Sequence, residues 1–402
     1  MKSRLLGLLG AAALLASPAA AQVSDNVVKI GVLNDMSGLY SDNNGEGSNV
    51  AVRMAIEDFG GKVLGKPIEV VIADHQNKAD IGSNTARQWF DQDKVDVITN
   101  LSNSSVGLAV QSMSREKNRI VLQTASATSD LTGKACSPTS FAWVYDTYAL
   151  ANGTGKTLVK QGGDTWFFIT ADYAFGHSLE RDTGNFVKEA GGKVLGSVRV
   201  PLNSSDFSSF LLQAQGSGAK VIGLANATTD MIATVKQAAE FGIAKAGQRL
   251  AGLLVFINNV DALGLKAAQG LVITTGYYWD LNDETRAWDK RFRQYRGRPA
   301  TMLQAADYSA VMHYLKAVQA AGTDEAKAVA AKMKEMPVND FFTKNVKVRE
   351  DGRVMRDMYL MQVKTPAESK ERWDYYKLLA TIPGEEAYRP LSQSECPYVK
   401  KG

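Results

Sequence analysis

The chain is 402 residues long, with a net charge of +4, three histidines and two cysteines. So long a chain exceeds one ordinary core, and two domains are expected. Its basic residues are scattered rather than gathered in a stripe with aromatics, which excludes a nucleic-acid footprint, and no group of histidines and cysteines has metal-ligand spacing.

The chain opens on a leader. In MKSRLLGLLGAAALLASPAAAQ, Lys2 and Arg4 precede an apolar stretch from Leu5 to Ala16, and Ala19 and Ala21 hold the small-residue cleavage positions. This pattern predicts a secretory signal peptide over residues 1–21. No cysteine stands at the cleavage point to carry a lipid, and no later apolar run reaches the ~18 residues of a membrane span. Export is therefore expected, and loss of Lys2 and Arg4 brings the remaining chain closer to neutrality. In an oxidising compartment two cysteines usually pair, so Cys136 and Cys396 are expected to form a disulfide, the alternative being two free thiols.

VVKIGVLND (27–35) is a continuous apolar run and reads as a buried parallel strand. GSNVAVRMAIEDFGG (47–61) has helical spacing at Val50, Met54 and Phe59 and stops at Gly60-Gly61. KPIEVVIAD follows as a strand, ADIGSNTARQWFDQD as a helix, VDVIT and RIVLQTA as strands with a helix between them. Strands alternating with helices at this spacing indicate a doubly wound α/β sheet. The pattern then restarts. A helix in 148–163 leads to the strand TWFFITAD, a helix over 177–190 and the strand VLGSVRV. Further helices in 207–219 and 230–242 alternate with the strands KVIGLAN and LAGLLVF, and LVITTGYYW closes the series. Helices over 284–296, 303–321 and 324–335 are too few for a third lobe and are expected to complete the first. VKVREDGRVMRDMYLMQV is β-like, with a hairpin turn at Asp351-Gly352.

Ligands of open α/β sheets sit beyond the carboxyl ends of the strands. Here those ends are residues 34–42, 102–105, 124–128, 171–175, 226–228 and 256–258, all polar or aromatic. The second of them, SNSSVG, is the most informative. One Ser or Asn suffices to cap the helix that follows, whereas Ser102, Asn103, Ser104 and Ser105 together indicate a polar lip for an anion at the helix's positive end. Motifs for bond chemistry fail. NGTGKT has Leu150 where a phosphate loop needs its first glycine, GVLNDMSG lacks the dinucleotide turn, and there is no G-x-S-x-G elbow. His75, His177 and His313 share no spacing. No cofactor is called for. A secreted hydrolase stays open only if a histidine reaches Ser104 or Ser105 in space.

KIGVLNDMSGLYSDNNGEGSNVAVRMAIED, NLSNSSVGLAV, TASATSDLTG, DYAFGHSLERD and DFSSFLLQAQGSGAKVIGLANATTDM, in that order, resemble the periplasmic branched-chain amino-acid (Leu/Ile/Val) binding proteins, solute receptors of ABC importers. The resemblance implies a type I periplasmic binding protein: an α/β fold of two Rossmann-like lobes with parallel sheets, joined by three hinge crossings near Tyr145, Gly276 and Gly352. Lobe 1 would be 22–145 plus 277–352, and lobe 2 146–276 plus 353–402. It further implies a periplasmic monomer, no enzyme, delivering its ligand to a membrane permease. In the family's amino-acid binders the ligand carboxylate is held by loops matched here by Ser102, Asn103, Ser104, Ser105 and by Ala125, Ser126, Ala127 and Thr128. The ammonium is held by an acid matched by Phe256 and often a tyrosine matched by Ala227, and here both places are apolar. Tyr40, Phe175, Phe256 and Tyr278 would instead wall a flat ring, with Asn226 or Asn258 meeting a ring hydroxyl. An aromatic carboxylate of the benzoate or phenylpropanoid type is the expected ligand. Asp172 and Asp230 keep a branched-chain or other amino acid open, since either would serve an ammonium.

Overall fold

The structure, a computed structural model, describes residues 23–400, so the expected signal peptide lies outside the described residues. The run at the start of the chain folds as β1 (Val28–Asn34), buried almost throughout. A strand apolar on both faces belongs at the centre of a covered sheet, and β1 has a partner on each side. α1 (Gly45–Phe59) stops at Gly60, whose φ of 101° is the left-handed C-cap that favours glycine. Then come β2 (Lys62–Val63), β3 (Lys66–Asp74), α2 (Ala79–Asp91), β4 (Val97–Asn100), α3 (Ser104–Glu116), β5 (Ile120–Gln123) and β6 (Ser140–Ala142). The sheet order is β2-β3-β1-β4-β5-β6, parallel except for the β2–β3 hairpin. The chain thus winds outward from β1 to β3 and then returns to β4 on the other flank. That reversal parts the connections after β1 and β4 and opens a crevice between them.

The second series repeats this logic. α4 (Thr147–Leu150), a wider π-type turn at Ala151–Gly155 and α5 (Lys156–Lys160) form one helical passage that contains NGTGKT. β7 (Thr165–Ala171), α6 (Ala174–Glu189), β8 (Lys193–Val200), α7 (Ser208–Gly216), β9 (Val221–Ala225), α8 (Thr228–Glu240) and β10 (Arg249–Gly252) follow. Their parallel sheet runs β10-β9-β7-β8, with its reversal between β7 and β9.

After α9 (Ile257–Leu263) and α10 (Leu265–Ala268) the series does not continue as expected. β11 (Val272–Thr275) pairs antiparallel with β12 (Met358–Val363), which pairs with β13 (Tyr376–Ile382). An apolar run reports burial and not the direction of its partner, which here comes from far along the chain. Between them lie α11 (Asp283–Arg296), α12 (Met302–Ala321) and α13 (Ala326–Glu335), and α14 (Gly384–Ala387) comes after β13. α12 packs along α1, on the first sheet, and α13 along α12. Asp307, in the buried middle of α12, accepts hydrogen bonds from Thr99 Oγ1 at 3.1 Å, Asn100 Nδ2 at 2.8 Å and Thr124 Oγ1 at 2.5 Å. It therefore ties down the ends of β4 and β5 from beneath.

Three passages between the sheets touch one another. Ala142 pairs with Arg353. Gly276 packs so closely on Val144 and Arg356 that a Cβ would lie 2.7 Å from each. Gly352, at φ 83° in the predicted hairpin turn, faces the Ser140 carbonyl with room for no side chain. A buried ion pair joins Arg353 to Asp146 at 2.9 Å. The Cys136–Cys396 disulfide is formed, with a Cα separation of 5.6 Å, and ties residues near the C-terminus to the loop after β5.

Candidate ligand-binding cleft

The two sheet reversals face one cavity. From the first sheet come Tyr40, Asn43 and Asn44 after β1, Ser102 and Ser104 after β4, and Ala125 and Ala127 after β5. From the second come Tyr173 and Phe175 after β7, Ala227 after β9, and Leu254 and Phe256 after β10. Tyr145 and Leu303 complete the wall, which contains no Asp, Glu, Lys, Arg or His.

The hydrogen bonds around the two serines set their polarity. Ser104 Oγ accepts from the N–H groups of Ala127 and Thr128, both at 3.2 Å. Ser102 Oγ accepts from the Asp35 N–H at 2.9 Å and lies 3.1 Å from His75 Nε2. The Asn77 N–H donates to His75 Nδ1 at 3.0 Å, so the ring proton is on Nε2 and points at Ser102. Burial holds His75 neutral, lowering its pKa from 6.5 to about 4 against the pull of Asp74. Each serine oxygen thus already accepts two N–H bonds, and each retains one hydroxyl proton to donate. A histidine that donates to Ser102 through Nε2 is in the wrong tautomer to take a proton from it, and no histidine reaches Ser104 or Ser105 in the hydrogen-bond network of the described residues.

The cleft is bridged on both flanks. Tyr40 and Tyr173 share a hydroxyl–hydroxyl bond of 2.5 Å, and Thr228 Oγ1 donates to the Leu39 carbonyl at 3.1 Å. Asn258 Nδ2 donates to Asn43 Oδ1 at 2.7 Å and to Asp42. On the opposite flank Thr128 meets Ser178 at 2.6 Å, and Arg181 pairs with Asp130 at 3.0 Å.

Residues 27–370 match the family model described as periplasmic binding protein. The chain belongs to the periplasmic binding protein family. A periplasmic binding protein from Burkholderia mallei is 51% identical, with a TM-score of 0.92 over 93% of this chain and 100% of that one. A branched chain amino acid ABC transporter periplasmic ligand-binding protein from Burkholderia xenovorans LB400 is 39% identical, TM-score 0.82, with the same coverage. An ABC transporter solute binding protein from R. palustris, solved in complex with benzoate, shares the fold at 20% identity, TM-score 0.78, over 89% of this chain and 97% of its own. The α/β fold, with its two doubly wound sheets and a third antiparallel one, is that of the type I periplasmic binding proteins. This periplasmic binding protein is a substrate-binding receptor of an ABC transporter, and among the described residues no helix is long and apolar enough to cross a membrane.

Of the residues singled out from sequence, Tyr40, Ser102, Ser104, Ala125, Ala127, Phe175, Ala227 and Phe256 line the cavity. Five do not. Asn103 turns back as the cap of α3, accepting from Ser105 N–H and Val106 N–H at 2.7 and 3.1 Å, so these helix N–H groups are not offered to a ligand. Ser105 is half-buried outside the lining. Ser126 Oγ donates back to the Leu101 carbonyl. Asn226 Nδ2 donates to Thr234 Oγ1 at 3.0 Å. Tyr278 lines a separate cavity. Asn258 is occupied across the cleft. The backbone N–H groups of Ala125 and Ala127 are also taken, by the Asn100 carbonyl and Ser104 Oγ. Asp172 is exposed and paired with His177 at 2.8 Å. Asp230 is buried outside the lining, its pKa raised to about 6 by burial against one N–H from Asn203.

Sequence reasoning missed Asn43, Asn44, Tyr145, Tyr173, Leu254 and Leu303. Tyr173 fell within a flagged strand end and Asn43 one residue past another, so the strand-end rule marked the place without choosing the side chain. Leu303 arrives on α12, which follows no parallel strand, and no local signal marks it.

Proposed function

We propose that the protein captures a small aromatic carboxylate of the benzoate or phenylpropanoid type in the periplasm and, as a monomer, presents it to an ABC permease. The observation that carries this reading is the pair of donor-only hydroxyls, Ser102 and Ser104, in a lining otherwise free of charge. Neutral hydroxyl donors suit a carboxylate. The rings of Tyr40, Tyr173, Phe175 and Phe256 suit a flat apolar body. An ammonium in the same space would lack a counter-charge, at a cost of several kcal/mol. The benzoate complex of a protein with this fold supports the assignment. The lobes, 22–145 with 277–352 and 146–276 with 353–402, would close about the passages near Tyr145, Gly276 and Gly352.

A second reading, a branched-chain amino acid, draws on Asp230, whose carboxyl lies close enough to Tyr40 and Tyr173 to perturb both phenols. The name of the B. xenovorans relative favours it too. A thermal-shift screen decides between them. A ligand at 100 times its Kd stabilises the native state by about 2.7 kcal/mol. Benzoate or a phenylpropanoid acid should raise Tm while leucine, isoleucine and valine do not. The reverse result would transfer the site to amino acids.

A further inference from the structure

Beyond Phe256 lies a second, narrow space, walled by Tyr277, Tyr278, Trp279, Met302 and Tyr376. Phe256 is the one residue that borders both cavities. The two also meet at the start of α12, where Met302 faces one and Leu303 the other.

The second space is aromatic but not wholly apolar. Tyr278 and Tyr376 lie with ring centroids 5.1 Å apart, and Tyr278 and Trp279 5.7 Å apart. The Trp279 indole N–H is spent on the Trp373 carbonyl at 2.8 Å. The hydroxyls of Tyr277 and Tyr376 are both buried without a hydrogen-bond partner among the described residues. That of Tyr277 has the Asp289 carboxylate beside it, whereas the nearest influence on Tyr376 is another phenol. Native cores rarely leave a buried hydroxyl unpaired, and those that do call for an explanation. A ligand group arriving from the first cavity supplies one.

We propose that the second cavity is the far subsite of the same site, taking the polar tail of an elongated aromatic carboxylate whose far hydroxyl bonds Tyr376, with Phe256 as the gate between the two spaces. The inference rests on the carboxylate reading, which places the acid group at Ser102 and Ser104. Phe256 stands at the N-cap of α9, outside the helical turns, where its ring can turn aside without unwinding the helix. The second space then receives the hydroxyl end of the molecule, and the Tyr376 hydroxyl gains its partner.

The test uses three acids, benzoate, cinnamate and 4-hydroxycinnamate, titrated by calorimetry into the wild type, Tyr376→Phe and Phe256→Leu, with thermal unfolding as the check on folding. Tyr376→Phe should weaken 4-hydroxycinnamate about tenfold and leave cinnamate and benzoate within twofold. Phe256→Leu, a smaller gate, should improve both longer acids relative to benzoate at least fivefold. If Tyr376→Phe affects the two cinnamates equally, or neither, the far subsite is refuted while benzoate binding keeps the carboxylate reading intact. If none of the acids binds the wild type, that reading falls and the inference with it.

Discussion

Ser104→Ala is the most informative single change, because it separates a structural role of the oxygen from the proposed ligand-binding role of its proton. Ser104 is only 2% exposed, and its oxygen is the acceptor for the N–H groups of Ala127 and Thr128, themselves buried. Removing it orphans two donors. Each costs about 1–3 kcal/mol when left unpaired, although both bonds are at the long end, so a stability loss of about 2–4 kcal/mol is expected. On the proposed reading the hydroxyl proton donates to the ligand carboxylate, worth about 1.5–3 kcal/mol, or roughly 10- to 150-fold in affinity. Ser105→Ala is the control: its side chain lies outside the cavity lining, and affinity should stay within about twofold. Urea unfolding reads the first effect. Calorimetry with benzoate and with benzamide, which keeps the shape and loses the charge, reads the second. The wild type should prefer the acid, and Ser104→Ala should lose most of that preference. Equal losses for acid and amide would show that the hydroxyl does not read the charge, and an unchanged benzoate affinity would remove Ser104 from the site altogether.

Protonation of His75 should make the fold acid-sensitive in a defined window. Its folded pKa of about 4 lies below the ordinary 6.5, chiefly through burial, so between those values the unfolded chain binds the extra proton. Stability from this group is complete above pH 6.5 and falls as pH drops towards 4, by roughly 3 kcal/mol in all. His75→Gln should show a shallower fall of unfolding free energy across that window, and parallel curves would refute the assignment. The disulfide closes a separation of 260 residues, and the chain-entropy model gives it about 5 kcal/mol; Cys396→Ser should lower the urea midpoint accordingly, and a loss below about 1 kcal/mol would show the link to be structurally idle. Gly352→Ala places a methyl 2.1 Å from the Ser140 carbonyl at a φ of 83°, so about 2–3 kcal/mol of stability should be lost in thermal unfolding. An unaffected Tm would mean that the passage near Gly352 yields freely.

Local pattern alone determined a good deal of this protein. Apolar runs of strand length, helical spacing and the Gly60-Gly61 stop located β1, α1, β3 and α2 nearly to the residue, and the βα alternation implied the doubly wound sheets. The strand-end rule then marked the loops after β1, β4, β5, β7, β9 and β10 that reach the cavity, because in a parallel sheet the topology alone places those ends, but it passed over Tyr145 after β6. Direction was beyond its reach. Ser102, Asn103, Ser104 and Ser105 look alike as a string, yet the turn from β4 into α3 aims Ser102 and Ser104 into the cavity and folds Asn103 back onto the helix, leaving Ser105 outside. The same limit applies to β11, whose antiparallel partner β12 lies beyond three helices, and to Leu303, which arrives on a helix with no strand before it. His75 could not be read at all: its role depends on an Asn77 N–H on one side of the ring and a Ser102 hydroxyl on the other, and only the folded chain brings the serine to it. Sequence fixes which groups the chain carries, through short-range periodicity and backbone preference, while the direction of each donor and acceptor is a property of the packed structure, where every buried N–H must find a partner.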